Sequence, residues 1–306
     1  TYIAYSSPYM SFEYDNSRSQ FTHKWKAKRW SYKRPKVSYV PAERNMISLI
    51  SNWDRLETNY DNILDFKVDF DIAKKYIKKE NNILGTGISY EYDESKDVDS
   101  IIVNNRVLEL MNSSSGIQSL IPQFVHLHYL GKCIYNVEKK EKEKTLSEKQ
   151  LSYNLLNILY ERIFKNIGEN QKSGGTVIIS MEGKDFVFPD TESAKKFKRD
   201  SNNLLRTNHA EIFLEEPESN LFPTTQFQLM DMVVDMLRRK LHKNFFFIAT
   251  HSPYVLNYLL QENIEDFSLF LTYPADGEYN VKTASKSDIQ DIYDNGADAF
   301  SILMPL

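Results

Sequence analysis

The sequence predicts an α/β fold: a mixed or parallel sheet with helical insertions and a small antiparallel β meander. Three observations carry this. Residues 211–214 (Glu211-Ile212-Phe213-Leu214) form an apolar strand that ends in Glu215-Glu216, a helix with an apolar stripe follows over 224–243, and a second apolar strand occupies 244–249. Strand, helix, strand is a crossover unit, and such units build parallel sheets with right-handed connections. Residues 88–92 alternate in polarity, short strands follow at 100–103 and 107–110, and Asn104-Asn105 turns the chain between them, which is a meander. Met46, Leu49, Ile50 and Trp53 stand at i, i+3, i+4 and i+7, the spacing of a helix running over 45–79.

Taken along the chain, charge is unevenly distributed. Residues 16–42 hold no acid, while Arg18, Lys24, Lys26, Lys28, Arg29, Lys33, Arg34 and Lys36 supply eight positive charges interleaved with Trp25, Trp30 and Tyr32. Residues 37–41 read as a strand stopped by Pro41. After the meander, a Ser-rich segment (Asn112 to Gly116) opens an apolar helix over 117–130. A Lys/Glu-dense run over 138–149 reads as a solvated helix or loop, and helical periodicity resumes over 151–167. Residues 1–306 are expected as a single domain, with 45–80 and 135–170 as helical insertions. The 306 residues also allow two smaller domains.

Composition excludes several classes. No stretch approaches the ~18 apolar residues of a spanning helix, and no basic n-region with an apolar h-region opens the chain. Cys133 is the sole cysteine, which excludes an intrachain disulfide and a Cys-rich zinc site and points to a reducing cytoplasm. The net charge of −4 excludes a uniformly basic nucleic-acid coat, though not a local basic patch.

The polar residues at the strand ends carry the chemistry, because ligands of open α/β sheets sit at the C-terminal ends of strands. Glu215 and Glu216 are hard oxygen donors suited to a magnesium ion with a polyphosphate, with one acid on the metal and the next toward a nucleophilic water. The same pattern fits two solvated glutamates opening a loop. Thr250-His251-Ser252-Pro253 closes the neighbouring strand, and His251 there reads either as a phosphate or water contact or as a local strand cap. Ser113-Ser114-Ser115-Gly116-Ile117-Gln118 begins a helix, where backbone N–H groups and the helix dipole favour an anion; an ordinary Ser-rich N-cap looks the same.

Together these segments resemble ABC-type ATPases of the SMC, RecF and OLD kind. Glu215-Glu216-Pro217-Glu218-Ser219-Asn220-Leu221-Phe222-Pro223 is similar to the Walker B and D-loop segment, with Phe222 at the usual His or Asp position; Ser113 to Leu120 resembles the signature sequence; Thr250 to Pro253 resembles the switch-histidine loop. Val40-Pro41-Ala42-Glu43-Arg44-Asn45 resembles the Q-loop region, with Glu and Arg in place of Gln, as in a subset of bacterial AAA-type ATPases near the OLD and anti-phage groups. The resemblance implies ATP and Mg2+ as cofactors, Glu216 and His251 as catalytic residues, Glu215 on magnesium, and Ser114, Gly116, Gln118 and Asn220 at the nucleotide. It implies a homodimer or higher homo-oligomer closed around nucleotide, with Ser114 and Gly116 of one subunit touching the γ-phosphate held by another.

Two departures matter. No G-x-x-x-x-G-K-[ST] occurs in the 306 residues; in this superfamily that Walker A segment precedes the Q-loop, so it is expected upstream of Thr1. OLD proteins carry a Toprim nuclease after the switch histidine, whereas here about 55 residues follow, with Asp288, Asp291 and Asp294 on a helical stretch. A separate effector protein, a nuclease or toxin, and a role in anti-phage defence follow as expectations; a RecF-type DNA-repair ATPase is the alternative. A third alternative is a nucleic-acid-binding scaffold with vestigial ATPase motifs. In it Lys24, Lys26, Lys28 and Arg29 contact DNA phosphates, or a partner protein, and Trp25 and Trp30 stack on bases.

Overall fold

The computed structural model describes residues 2–50, 61–135, 146–165, 176–262, 264–275 and 277–295. Trp53, the lysines at 139–144 and Gly174-Gly175 lie outside the described residues. In chain order the elements are β1 (Tyr2–Ser6), β2 (Met10–Asp15), β3 (Gln20–Trp25), β4 (Pro35–Val40), α1 (Met46–Leu49), α2 (Asp61–Tyr76), β5 (Lys79–Glu80), β6 (Ser89–Asp93), β7 (Val98–Val103), β8 (Arg106–Glu109), α3 (Ser115–His128) and α4 (Leu146–Lys165). There follow β9 (Val177–Met181), β10 (Lys184–Phe188), α5 (Thr191–Leu205), β11 (His209–Glu215), α6 (Pro223–Leu237), β12 (Phe245–Ala249), α7 (Pro253–Gln261), β13 (Phe270–Ala275), β14 (Glu278–Thr283) and α8 (Lys286–Asn295). The fold is mixed α/β. Parallel pairing joins β11 to β12, and antiparallel sheets are built from β1–β3, β5–β8, β9–β10 and β13–β14.

The chain divides into two compact units, residues 1–36 with 134–209 and residues 37–133 with 210–306. In the first, α4, the β9–β10 hairpin and α5 enclose an apolar cluster of Leu156, Leu159, Ile163, Phe186, Phe188, Ala194 and Phe197. Phe197 is the hub, with ring centroids 4.9 Å from Phe186 and 5.0 Å from Phe188. Asp190 starts α5 by accepting the Ser193 N–H at 2.7 Å, the usual satisfaction of an orphan helix donor. The hairpin turns at Glu182-Gly183, both at positive φ (51° and 74°), the backbone that two-residue turns require. It lies outside the strands predicted from sequence, because the Glu-Gly pair has none of the usual Asn-Gly or Asp-Gly appearance.

In the second unit the β11–α6–β12 crossover forms as the sequence predicts, and β4 lies on the other side of β11. Ala210, Ile212 and Leu214 are buried, as are Leu229, Met230, Val233 and Val234 of α6. Two expectations are corrected. α6 ends at Leu237, and Leu241, expected on its apolar stripe, is 91% exposed beyond it. The helix begun at Met46 ends at Leu49, because Ile50 is extended (φ −100°, ψ 112°), so the Met46, Leu49, Ile50 stripe does not continue as one helical face. The meander is found as expected over β6, β7 and β8, with Asn104 and Asn105 both at positive φ.

The meander is tied to α2 by charge. Lys74, buried on α2, lies 2.8 Å from Asp97, 3.3 Å from Asp71 and 3.5 Å from Asp99, with its ammonium 4.5 Å from the Tyr92 ring. Burial opposes the Lys74 charge, but Asp99, then Asp97 and Asp71, outweigh it and hold its pKa above the usual lysine range. Burial pushes Asp99 up, and Tyr90 donates to it at 2.5 Å. Removing one member of a buried ionic group strands the rest. Lys74→Met is therefore expected to cost about 3 kcal/mol in chemical denaturation. Hydrogen bonds from Lys74 and Tyr92 hold Asp97 below the usual carboxylate range. Its contribution is thus present above pH ~4 and lost as pH falls through the folded value. The acid-side loss of stability should be smaller in Lys74→Met than in the unaltered protein; an equal loss would show that Asp97 is not coupled to Lys74.

Candidate functional site

The end of β11 separates two adjacent carboxylates. Glu215 is the last ladder residue, paired with Ala249 of β12. Glu216 then enters the left-handed region at φ 41°, an uncommon conformation for a residue with a side chain. Its N–H donates to the Ala249 carbonyl at 2.8 Å, and its own carbonyl accepts from Ser219 N–H at 2.9 Å. The two side chains consequently find different partners. Tyr39, from β4, donates its hydroxyl to Glu215. Burial, then that carboxylate, pushes the Tyr39 phenol up to about 12. Ser219 donates its hydroxyl to Glu216 Oε2 at 2.8 Å, and Glu216 Oε1 faces His251 Nε2 at 3.7 Å. The His251 side chain is 86% exposed, and its backbone N–H donates to Glu218 Oε1 at 2.8 Å.

Arg44 underlies this loop. Fully buried, it donates through Nη1 to the carbonyls of Pro41 (3.2 Å) and Glu215 (3.3 Å), and through Nη2 to those of Pro217 (3.0 Å) and Ser219 (3.3 Å). Burial lowers its pKa to about 10, and Glu218, Glu216 and Glu43 oppose that, so it stays charged at neutral pH. The arginine at the Q-loop position thus acts as a clamp on the backbone that follows β11. Gln226 adds a second tie: Ser252 donates to its Oε1 at 2.6 Å while its Nε2 donates to the Leu221 carbonyl at 2.8 Å. Ser252 also accepts from the Tyr254 and Val255 N–H groups and so starts α7. Sequence reading identified neither Gln226 nor Tyr39 as part of the site; a Gln one turn into an amphipathic helix and a Tyr in a strand carry no motif.

The start of α3 packs on the same loop. A Cβ on Gly116 would lie 2.8 Å from the Asn220 carbonyl oxygen, closer than real Cβ atoms approach, so only glycine fits unless the loop moves. Ser119 donates to the Ser219 carbonyl at 3.1 Å. Asn220 is exposed at φ 65°, and Ser114 is the exposed N-cap of α3, making no side-chain cap bond. Gln118 is placed differently from Ser114. It is buried, and its amide donates to the Met111 and Ser113 carbonyls at 2.9 and 3.0 Å, closing the turn before α3. Glu215, Glu216, Asn220, His251, Ser114 and Gly116 all belong to the second unit. Lys24, Lys26, Lys28 and Arg29 belong to the first.

Two other polar groupings are less suited to chemistry. Ser38 Oγ is 2.6 Å from His126 Nε2, and Asp69 approaches both, but Ser38 and His126 are buried and Asp69 lies on the Nε2 side, 4.0 Å away, instead of orienting Nδ1. A cleft lined by Glu80, His128, Asp231, Asp235 and Arg239 among others contains no residue of the β11–β12 loop cluster. Its chief ionic contact is His128 to Glu80 at 3.4 Å, and burial lowers the His128 pKa. Among the described residues no group of three or more His, Cys, Asp or Glu could hold a metal ion by itself. Arg44→Met should remove the guanidinium donor from five backbone carbonyls, those of Pro41, Ala42, Glu215, Pro217 and Ser219, and cost about 3 kcal/mol by thermal or chemical denaturation. A change below about 0.5 kcal/mol, the scale of an inert surface substitution, would show that the clamp is dispensable.

No protein-family model matches the chain, and no curated protein is similar to it. Among solved structures, it is similar to the SMC head in a crystal structure of that head bound to the C-terminal winged-helix domain of ScpA, at 8% identity and a TM-score of 0.21, over 89% of this chain and 95% of that one. Among the described residues no helix is long and apolar enough to cross a membrane.

Proposed function

We propose that the loops closing β11 and β12 form the hydrolytic edge of an ABC-type ATP site. One observation carries this: Glu216, fixed by a left-handed backbone and by Ser219, presents its second carboxylate oxygen to the exposed imidazole of His251 at the C-terminal end of a parallel crossover unit. The donor set fits magnesium, since Glu215 is a hard oxygen ligand and a magnesium ion needs only one or two carboxylates beside phosphates and water. Ser114 and Gly116, at the open N-terminus of α3, suit a phosphate. The resemblance extends the reading to a nucleotide-closed dimer with a separate effector.

When bound, magnesium-ATP would supply the electrophilic phosphorus and a counter-charge for Glu215. The roles of this chain's own groups then follow from their surroundings. Glu216 Oε1 accepts a proton from water, and the Ser219 hydroxyl on Oε2 keeps the carboxylate from rotating away. His251 Nε2 donates or accepts a hydrogen bond beside it, as an imidazole can in either tautomer. Glu218 sets the height of His251 by holding its backbone N–H.

Glu216→Gln is expected to retain ATP binding and to lower phosphate release about 10²-fold or more, the scale of losing a positioned base. Turnover within a few-fold of the unaltered protein would remove Glu216 from the role. His251→Ala should also slow hydrolysis while leaving the melting temperature unchanged, since an exposed imidazole leaves no cavity behind. Unchanged specific activity with a lowered melting temperature would make His251 a purely structural strand-end residue.

A further inference from the structure

The β1–β2–β3 sheet segregates its side chains by strand alternation, and the result is an uncovered aromatic face. The register pairs Tyr5 with Phe12 and Phe12 with His23, Ile3 with Tyr14 and Tyr14 with Phe21, and Met10 with Trp25. Directly paired residues share a face, so Ile3, Tyr5, Phe12, Tyr14, Phe21, His23 and Trp25 all stand on one side with Met10. Tyr2, Ser11, Glu13, Asp15, Thr22 and Lys24 stand on the other. The rings form a continuous path: Tyr5 to Phe12 at 5.4 Å, Phe12 to Phe21 at 5.8 Å, Phe21 to His23 and His23 to Trp25 at 6.0 Å. Tyr5 is 51% exposed, Phe21 59% and Trp25 52%. An apolar patch of this kind marks a docking surface.

Its chemistry selects the occupant. No acid lies on that face, and Trp25 leads directly into the turn Ala27–Ser31, inside the acid-free stretch with eight cations. Lys26, next to Trp25, is held at the sheet end by the Ser6 hydroxyl and the Ser7 carbonyl, each at 2.7 Å. Lys24, Lys28 and Lys33 make no ion pair among the described residues. A second copy of the chain would bring the same cations against these, and like charges across an interface disfavour it. Rings in a row, beside cations without acids, suit a polyanion whose own units have flat faces. We propose that this sheet face binds single-stranded nucleic acid, with bases stacked on Phe21, His23 and Trp25 and phosphates near Lys26, Lys28 and Arg29. Trp30 has no part in the stacking: its ring meets the guanidiniums of Arg29 (4.7 Å) and Arg162 (4.6 Å) and packs on the Phe197 cluster.

The test is fluorescence anisotropy of the full chain with a fluorescein-labelled oligothymidylate of about 20 nucleotides, longer than the ~4–16 nucleotides one such platform occupies, beside a duplex of equal length. The expected results are preference for the single strand, a log–log salt slope of roughly 0.7 per phosphate contacted, and quenching of tryptophan emission on binding. Phe21→Ala and Trp25→Ala should each weaken binding by about tenfold or more. Trp25→Phe should retain affinity yet lose the quenching, because the ring proposed to stack on a base is then no longer a tryptophan and Trp30 packs elsewhere; this variant keeps the test valid if an alanine variant fails to fold. Absence of binding, equal affinity for duplex, or quenching that persists in Trp25→Phe would each overturn the proposal. So would a wild-type dimer that Phe21→Ala dissociates, which would make the face a protein interface.

Discussion

A guanidinium buried beneath the β11 loop holds the backbone from which the candidate site is built. Arg44 has no solvent exposure and meets the carbonyls of Glu215, Pro217 and Ser219, so the chain that leaves β11 cannot swing without stranding a charge in the interior. The clamp sets where Glu216 emerges and where Ser219 stands to hold it. It also fixes Asn220, against which Gly116 packs too closely for any side chain. The loop between β12 and α7 is bound to the same frame by Gln226 and Glu218. Three sequence segments that are far apart therefore share one rigid backbone scaffold.

Within that frame two neighbouring carboxylates acquire different surroundings. Glu215 remains in the ladder and accepts the Tyr39 hydroxyl, whereas Glu216 steps into a left-handed conformation beside an exposed histidine. Non-glycine residues held in that region carry local strain of order 1–3 kcal/mol. Here the strain turns one carboxylate out of the strand direction. A continued strand would send Glu216 to the opposite face from Glu215, among the buried Ile212 and Leu214.

The first unit follows a different logic. Its core is centred on Phe197, while the β1–β3 sheet uses strict alternation to place Tyr5, Phe12, Tyr14, Phe21, His23 and Trp25 on one face and Tyr2, the acids Glu13 and Asp15, and Ser11 and Thr22 on the other. Lys24 and Trp25 are neighbours in sequence yet stand on opposite faces for that reason. The apparent interleaving of cations and tryptophans along 24–30 dissolves into three environments: a polar sheet face, an aromatic sheet face, and a tryptophan in contact with two arginines.

The sequence by itself determined the α/β class, the β11–α6–β12 crossover, the meander and the candidacy of Glu215, Glu216, His251, Ser114 and Gly116. These rest on local signals: periods of two and of three to four residues, and polar residues at strand ends. Only the tertiary structure decided what Arg44, Tyr39, Gln226 and Gln118 do, because each acts through backbone groups or carboxylates supplied by other segments. It also decided that α6 stops at Leu237 and that the helix from Met46 stops at Leu49, since helix ends depend on packing as much as on periodicity. The ring path across β1–β3 was hidden for the same physical reason. Cross-strand register, which no single strand encodes, decides which side chains share a face.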